Sequence, residues 1–408
     1  MPRLLALSTY PIVKPVHGGQ RRIDAFAQHL RGAGWEHHYA AVYEDQHYAK
    51  ALAGENDTPL QYIGGEWSGL PLVADIQSGV FAAASPRAYA HFKAVFERVR
   101  PDLIQLEHPF MWPLVRRLRA EGVASAVPIV YASHNWEGPL KHDMLLRAGV
   151  PAAAAQRVAD YITALEAELL AASTAAVAVS EADASHYRQA SPQTPVFVVP
   201  NGVARPVEPN FAEKALTRDF GDEKYLLFVG SAYPPNIDGF VNLVLKRGLY
   251  FRPPVKCLAI CGGAAHGILD SAAFQANPGA HQRRVNAYPV ISDGGLEALK
   301  RGSHAVLLPI QFGGGSNLKT AEALASGKWV VATSKAMRGF TEFSSAPGVI
   351  VADTADAFHA AIVHVLAAPP LALDPASAAA REAVYWDRGF ETSGYASFMR
   401  QRATGPGA

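Results

Sequence analysis

Residues 311–333, QFGGGSNLKTAEALASGKWVVAT, hold the residue types in this chain best suited to chemistry. Three glycines, Gly313 to Gly315, let a ligand approach the backbone closely. A helix-forming run follows, and its start offers free N–H groups to an anion. Lys319 adds a cation at that start. Glu322 stands among Ala321, Ala323, Leu324 and Ala325, small apolar neighbours that set it apart from a solvated helix face. In this order the types point to a phosphate-bearing ligand, with Glu322 touching something polar beside it.

Other polar residues gather where short apolar runs end. His17, Gly18 and Gly19 follow the first run, Glu107 and His108 close DLIQLEH, and His134 closes PIVYASH. Open sheets collect ligands at such ends. Each residue also has a plainer reading: a strand-to-helix turn for the glycine pair, a satisfied core or surface histidine for His134. The glycines of STYPIVKPVHGGQRR come late after the strand and lack GxGxxG spacing, which counts against a nicotinamide dinucleotide. On a strand, the Cα atoms of Cys257 and Cys261 would lie roughly 13 Å apart, too far for a disulfide. Two buried thiols read as core packing. With no CxxC pair and no HExxH, a metal site has no support.

The elements that must position these residues follow from length and pattern. A chain of 408 residues is too long for one ordinary core, so two domains are expected. A net charge of +1 invites neither nucleic acid nor an anionic surface. No apolar run is long enough to span a bilayer. The N-terminal MPRLLALSTYPIVK reads as a first buried strand rather than a signal peptide, which makes the cytoplasm the default location. Strands are expected at 3–9, 102–108, 128–134, 175–181 and 196–203, then at 224–231, 255–261, 305–310, 329–333 and 348–352. Helices are expected after Gly19, from Ser85–Pro86 to about Arg100, and from about 155 to 172. The tail AVYWDRGFETSGYASFMRQRA reads as one amphipathic helix, and 204–222 as a linker. The alternation implies an α/β fold of two doubly wound parallel sheets, each covered on both faces.

The ordered series ASHNWEG, LEAELLAASTAAVAVSEAD, VVPNGV, LLFVGSAYPPNIDGF, LAICGGA, YPVISDGGLEALKRGSHAVLLPI and GGGSNLKTAEALASGKWVVAT resembles glycosyltransferase family 4. The likeness runs from about residue 3 to residue 400. It implies the GT-B fold, two Rossmann-like domains facing a central cleft. They would occupy 1–203 and 204–385, with a C-terminal crossover helix at 386–408 returning to the first. It also implies a nucleotide-diphosphate sugar donor (UDP, GDP or dTDP), held mainly by the second domain. The acceptor would be a glycan, glycolipid or small molecule, held mainly by the first. Transfer would proceed with retention of configuration, without a metal or other cofactor. By the resemblance Glu322 holds ribose hydroxyls, and Leu318 and Lys319 meet the phosphates. Ser316 and Asn317 meet the donor sugar, and Ile291 lies near the base edge. His134 faces the donor sugar, Gly18 and Gly19 approach the diphosphate, and Ser231, Gly314 and Gly315 line the same site. His134, Lys319 and Glu322 stand closest to the chemistry. Many relatives work at a membrane, so a peripheral contact at its cytoplasmic face stays open, although no basic amphipathic helix stands out.

Two positions depart from the family pattern. Gly314 stands where the first glutamate of the E-x7-E motif contacts the donor sugar. The Arg and Lys pair that follows the FVG strand in many members is replaced by Ser231 and AYPPNIDGF, with Asn236 and Asp238. Lys319 is the obvious substitute cation. These departures keep two rivals in view, a nucleotide-sugar epimerase on the same fold and a non-catalytic nucleotide-sugar-binding relative. Arg21 and Arg22 read as solvated or acceptor-facing, and Glu107 and His108 as lining an acceptor pocket.

Overall fold

Short apolar runs, most of them fully buried, form the strands of the computed structural model, which describes residues 1–15, 17–61, 64–253, 255–312 and 317–404. Residues 1–200 and 389–408 make one unit, and residues 201–388 a second. The first contains β1 (Arg3–Ser8), β2 (Glu36–Tyr43), β3 (Thr58–Pro59), β4 (Leu103–Leu106), β5 (Ile129–Ala132), β6 (Ala175–Ala178) and β7 (Val196–Val198). Their order is β3-β2-β1-β4-β5-β6-β7, with parallel pairing throughout. The second contains β8 (Leu226–Val229), β9 (Leu258–Cys261), β10 (Val285–Tyr288), β11 (Ala305–Leu308), β12 (Trp329–Ala332) and β13 (Val349–Val351). Here the order is β10-β9-β8-β11-β12-β13, again parallel. Both sheets reverse direction of growth, between β1 and β4 and between β8 and β11. Such switch points open a crevice at the carboxyl ends of the strands. The chain is thus α/β with two Rossmann-like units.

Strand alternation builds the cores. In the second unit Leu226, Phe228, Leu258 and Ile260 face Phe240, Leu243 and Phe358. Leu227, Ala259 and Cys261 face the other way, toward Leu299, Leu324 and Met337. Cys257 and Cys261 are free and buried, one in each core, as core packing requires.

The observed strands are shorter than their apolar runs: most lose their final residues to loops, while β9 instead begins three residues late, at Leu258. Three strands had no clear apolar signal. β2 begins with the polar Glu36, His37 and His38, β3 is two residues long, and β10 carries Asn286. Residues 204–222 are not a free linker. Phe220 is buried and stacks on Tyr225 at 3.9 Å, while Arg205 pairs with Glu382 and Asp387. Nor is the tail one helix. It forms Trp386–Thr392 and Tyr395–Thr404, broken at Gly394 with φ +76°, a conformation that glycine adopts without a Cβ clash.

The tail completes the first unit. Phe390 meets Phe26 edge-on at 4.7 Å and stacks on His29 at 4.1 Å, and the Trp35 indole N–H donates to the Met399 carbonyl at 3.2 Å. Phe390→Ala is therefore expected to lower the unfolding free energy of this unit by about 3–5 kcal/mol. Urea titration followed by tryptophan fluorescence measures it, and a loss under about 1 kcal/mol would mean that the tail merely rests on the surface.

Candidate functional site

In the first unit the polar residues lie beyond the carboxyl ends of β1, β4 and β5. The helix Gly18–Gly32 begins with a capping box: His17 Nδ1 accepts from the Gln20 N–H at 3.4 Å, and Gln20 Oε1 accepts from the His17 N–H at 3.3 Å. His17 Nε2 then donates to Tyr48 Oη at 2.9 Å. Burial lowers the His17 pKa to about 4, so the ring is neutral at pH 7, as an accepting Nδ1 demands. Gly18 and Gly19 form the first turn of this helix. A Cβ on Gly19 would stand 2.2 Å from Tyr10 Oη and 3.4 Å from His134 Nδ1, so a larger residue there would have to displace the Tyr10 hydroxyl.

His134 lies two residues past β5, with 7% of its side chain exposed. Its Nδ1 is 3.2 Å from Tyr10 Oη and its Nε2 is 3.4 Å from Glu107 Oε2. The His108 ring is 4.4 Å away. Burial, reinforced by the Arg22 charge, holds the His134 pKa well below the usual histidine value. It is a neutral hydrogen-bonding group rather than a cation.

Two expectations change here. Arg22 is neither solvated nor on the surface: it is 1% exposed, donates to the Val199 carbonyl at 2.9 Å and lies over the Phe26 ring. Glu107 is wholly buried, its Oε1 accepting from Gln105 Nε2 at 2.5 Å, so it does not line an open pocket. Burial raises its pKa to about 7, opposed by Gln105 and the Arg22 charge.

In the second unit the loop after β8 and the helix Leu318–Ala325 come together. Asn236 Nδ2 donates to the Ser231 carbonyl at 3.0 Å and to Ser231 Oγ at 3.2 Å. The Lys319 ammonium donates to Asn236 Oδ1 at 2.7 Å. Burial lowers the Lys319 pKa to about 8, partly offset by the Glu322 charge. Glu322 is half-buried and shares a small cavity with Lys319, Lys300, Leu227 and Leu308. Asn317 caps the helix, its Oδ1 accepting from the Lys319 N–H at 3.3 Å, and Leu318 opens the first turn. Gly314, Gly315 and Ser316 lie outside the described residues. Ile291 is not part of a strand. It is half-buried in the loop between β10 and the helix Asp293–Gly302, against Gly295.

Ser231, Asn236, Lys319 and Glu322 thus form one group, and Gly19, His134 and Glu107 another. Sequence reasoning passed over Tyr10, Gln105 and Tyr395. Gln105 did leave a signal, as a lone amide in the otherwise apolar LIQL. Among the described residues no cluster of three His, Cys, Asp or Glu side chains is placed to hold a metal ion. No described helix is long and apolar enough to cross a membrane.

The profile described as Glycosyltransferase Family 4 matches residues 16–205, and that described as Glycosyl transferases group 1 matches residues 223–368. A search among curated proteins finds no sequence match. Among solved structures, sucrose-phosphate synthase from Thermosynechococcus elongatus superposes with a TM-score of 0.65 at 17% identity, covering 98% of this chain and 97% of that one. Starch synthase IV from Arabidopsis thaliana, its catalytic domain bound to ADP and acarbose, gives 0.60 at 12% identity over 98% and 99%. Anabaena HepE in complex with UDP-glucose gives 0.58 at 14% over 98% of each chain. At these identities the superpositions establish the fold.

The half-buried Lys319 ammonium carries a desolvation cost. Its folded pKa of about 8 lies below the ordinary lysine value of 10.5, so between these pH values the unfolded chain binds more protons and stability rises with pH. Lys319→Met removes this penalty. It is expected to raise the unfolding free energy of the unliganded protein by on the order of 1–3 kcal/mol at pH 7, with the gain fading above the lysine range. Urea titrations across that range check the sign, and a destabilised variant at pH 7 would show that the Asn236 bond outweighs the burial cost.

Proposed function

The chain belongs to the glycosyltransferases, its first half matching family 4 and its second group 1, and on that premise we propose that it moves a sugar from a nucleotide diphosphate to a hydroxyl acceptor with retention of configuration. The observation that carries this reading is the Lys319 ammonium. It is held by Asn236 beside Ser231, at the start of the helix that bears Glu322. A departing nucleoside diphosphate develops negative charge that must be stabilised where it appears. Lys319 and the first turn of Leu318–Ala325 supply a cation and a positive helix end at one place. Lys319 stands in for the Arg and Lys pair missing after the FVG strand, where this chain has Ser231 and AYPPNIDGF.

In this reading Glu322 accepts from the ribose hydroxyls, as a carboxylate can from two vicinal hydroxyls. Asn317 and the glycine loop, Gly314 and Gly315 with Ser316, border the sugar and phosphates, and Ile291 borders the base. Gly18 and Gly19 let the first helix come close, and neutral His134 offers a hydrogen bond to the donor sugar without repelling a developing cation. The bound UDP-glucose of the Anabaena protein and the ADP of the Arabidopsis enzyme favour UDP or ADP as first candidates. GDP and dTDP complete the set. The acceptor is a glycan, glycolipid or small molecule, the transfer needs no metal, and the protein works in the cytoplasm or at the inner membrane face.

Isothermal titration with UDP, ADP, GDP and dTDP in the presence of EDTA tests the reading. One nucleotide should bind, and Glu322→Ala should abolish that binding. Lys319→Ala should weaken it at least tenfold, or about 1.4 kcal/mol. Because phosphate favours the charged amine, binding near pH 8 should take up a proton and weaken as pH rises past the Lys319 pKa. A folded protein that binds none of the four would sink the assignment. Conversion of a bound sugar nucleotide to an isomer without acceptor would replace transfer by epimerisation.

A further inference from the structure

Glu107 and Gln105 are wholly buried, and no step of the proposed reaction uses them. They belong to a hydrogen-bonded chain entirely within the first unit. Tyr395, on the helix Tyr395–Thr404, has its hydroxyl 3.2 Å from Gln105 Oε1. Gln105 Nε2 donates to Glu107 Oε1 at 2.5 Å. Glu107 Oε2 faces His134 Nε2 at 3.4 Å, His134 Nδ1 faces Tyr10 Oη at 3.2 Å, and that hydroxyl lies 3.4 Å from His108 Nε2. His108 Nδ1 is buried and has no hydrogen-bond partner among the described residues.

Each contact needs one hydrogen, so if the Tyr10 hydroxyl is to spend its own hydrogen within the chain, the chain can point only two ways. Burial keeps both histidines neutral and the Tyr10 hydroxyl protonated, so each of the three carries one hydrogen. With Glu107 ionised, His134 Nε2–H donates to Glu107, Tyr10 donates to His134 Nδ1, and His108 Nε2–H donates to Tyr10. The orphaned His108 Nδ1 is then a bare lone pair. In the opposite direction it would be an N–H buried without an acceptor, which is the costlier state. Gln105 reinforces the first direction. Its oxygen is taken by the Tyr395 hydroxyl, so its NH₂ must face Glu107 and requires a lone pair there.

We propose that Glu107 is a positioning residue for His134: held by Gln105, and through it by Tyr395 of the C-terminal helix, it fixes the imidazole in the Nε2–H form. The consequence for catalysis rests on the reading of His134 as a donor contact, but the tautomer itself does not. A ligand hydroxyl that displaced Tyr10 would meet Nδ1 as an acceptor. The groups around Glu107 are Arg22 from the Gly18–Gly32 helix, Tyr10 beyond β1, Tyr39 of β2, His108, His134 beyond β5 and Tyr395. Of these only Arg22 is charged at pH 7, and it favours the carboxylate.

Nitrogen NMR of the full chain labelled with ¹⁵N-histidine, with His134 and His108 assigned by single substitutions, reads both tautomers without any donor present. Above the Glu107 titration both rings should be Nε2–H in the wild type. Below pH 7 protonation of Glu107 should reverse the chain and convert His134 to Nδ1–H. Glu107→Gln should give Nδ1–H at every pH, because the amide must turn its oxygen to Gln105 and its NH₂ to His134. Gln105→Leu places an apolar side chain in a buried strand and keeps the test open should the first variant misfold. It removes the donor that favours the carboxylate, so the crossover should move up by about one pH unit or more. A wild-type His134 in the Nδ1–H form at pH 8, or tautomers unmoved in folded variants, would overturn the proposal. Neither result bears on nucleotide binding, so the two readings fail separately.

Discussion

Both sheets are parallel and covered on both faces, and that constraint decides where polar chemistry can sit. A parallel strand must return through a crossover, so helices occupy both faces and strand interiors are apolar. Polar side chains are left with the strand ends. Because β1, β4 and β5 are neighbours in the sheet, their ends bring Tyr10, Glu107, His108 and His134 together across up to 124 positions of sequence. The same logic in the second unit sets Ser231 beyond β8 beside a helix that follows β11.

The two groups handle burial of ionisable side chains in opposite ways. In the first, burial suppresses charge. Its histidines are neutral, and the carboxylate of Glu107 is opposed by burial yet favoured by Gln105 and Arg22. In the second, burial leaves a cation in place whose hydrogen-bond partner among the described residues is an amide, with the Glu322 charge offsetting part of the burial cost. Asn236 satisfies the Lys319 ammonium geometrically but cannot neutralise it. A cation held in that condition gains most from an anion, which is the property that a phosphate-binding lysine requires. A carboxylate at Asn236 would have made a better ion pair and a poorer site.

Much of this was legible in the sequence, for identifiable reasons. Fully buried parallel strands write themselves as apolar runs, so β1, β4, β5 and β8 could be read directly. Lys319 and Glu322 announced themselves as charged residues in small apolar company, and both line one cavity. What escaped was whatever depends on contacts distant in sequence. Strand β2 opens with Glu36, His37 and His38, so its burial comes from neighbours rather than its own composition. Arg22 read as solvated or acceptor-facing because helical spacing does not reveal that Val199 and Phe26 enclose it. Tyr10 and Tyr395 carry no motif at all. Their roles exist only once the sheet order is known.

The tail shows why such distant contacts matter. Its last described residues fill the core of the first unit through Phe390 and Met399 and also reach Gln105 through Tyr395. A packing role alone would be served by phenylalanine at that position. A hydroxyl in a wholly buried site costs desolvation unless it is bonded, and its partner is the one polar residue within an apolar strand. Two buried polar groups that satisfy each other and then hand the bond on to Glu107 are more demanding than apolar substitutes, because each fixes the orientation of the next. The helix therefore contributes direction as well as area. It turns the Gln105 amide, the amide holds one oxygen of Glu107, and the other oxygen is left to face His134.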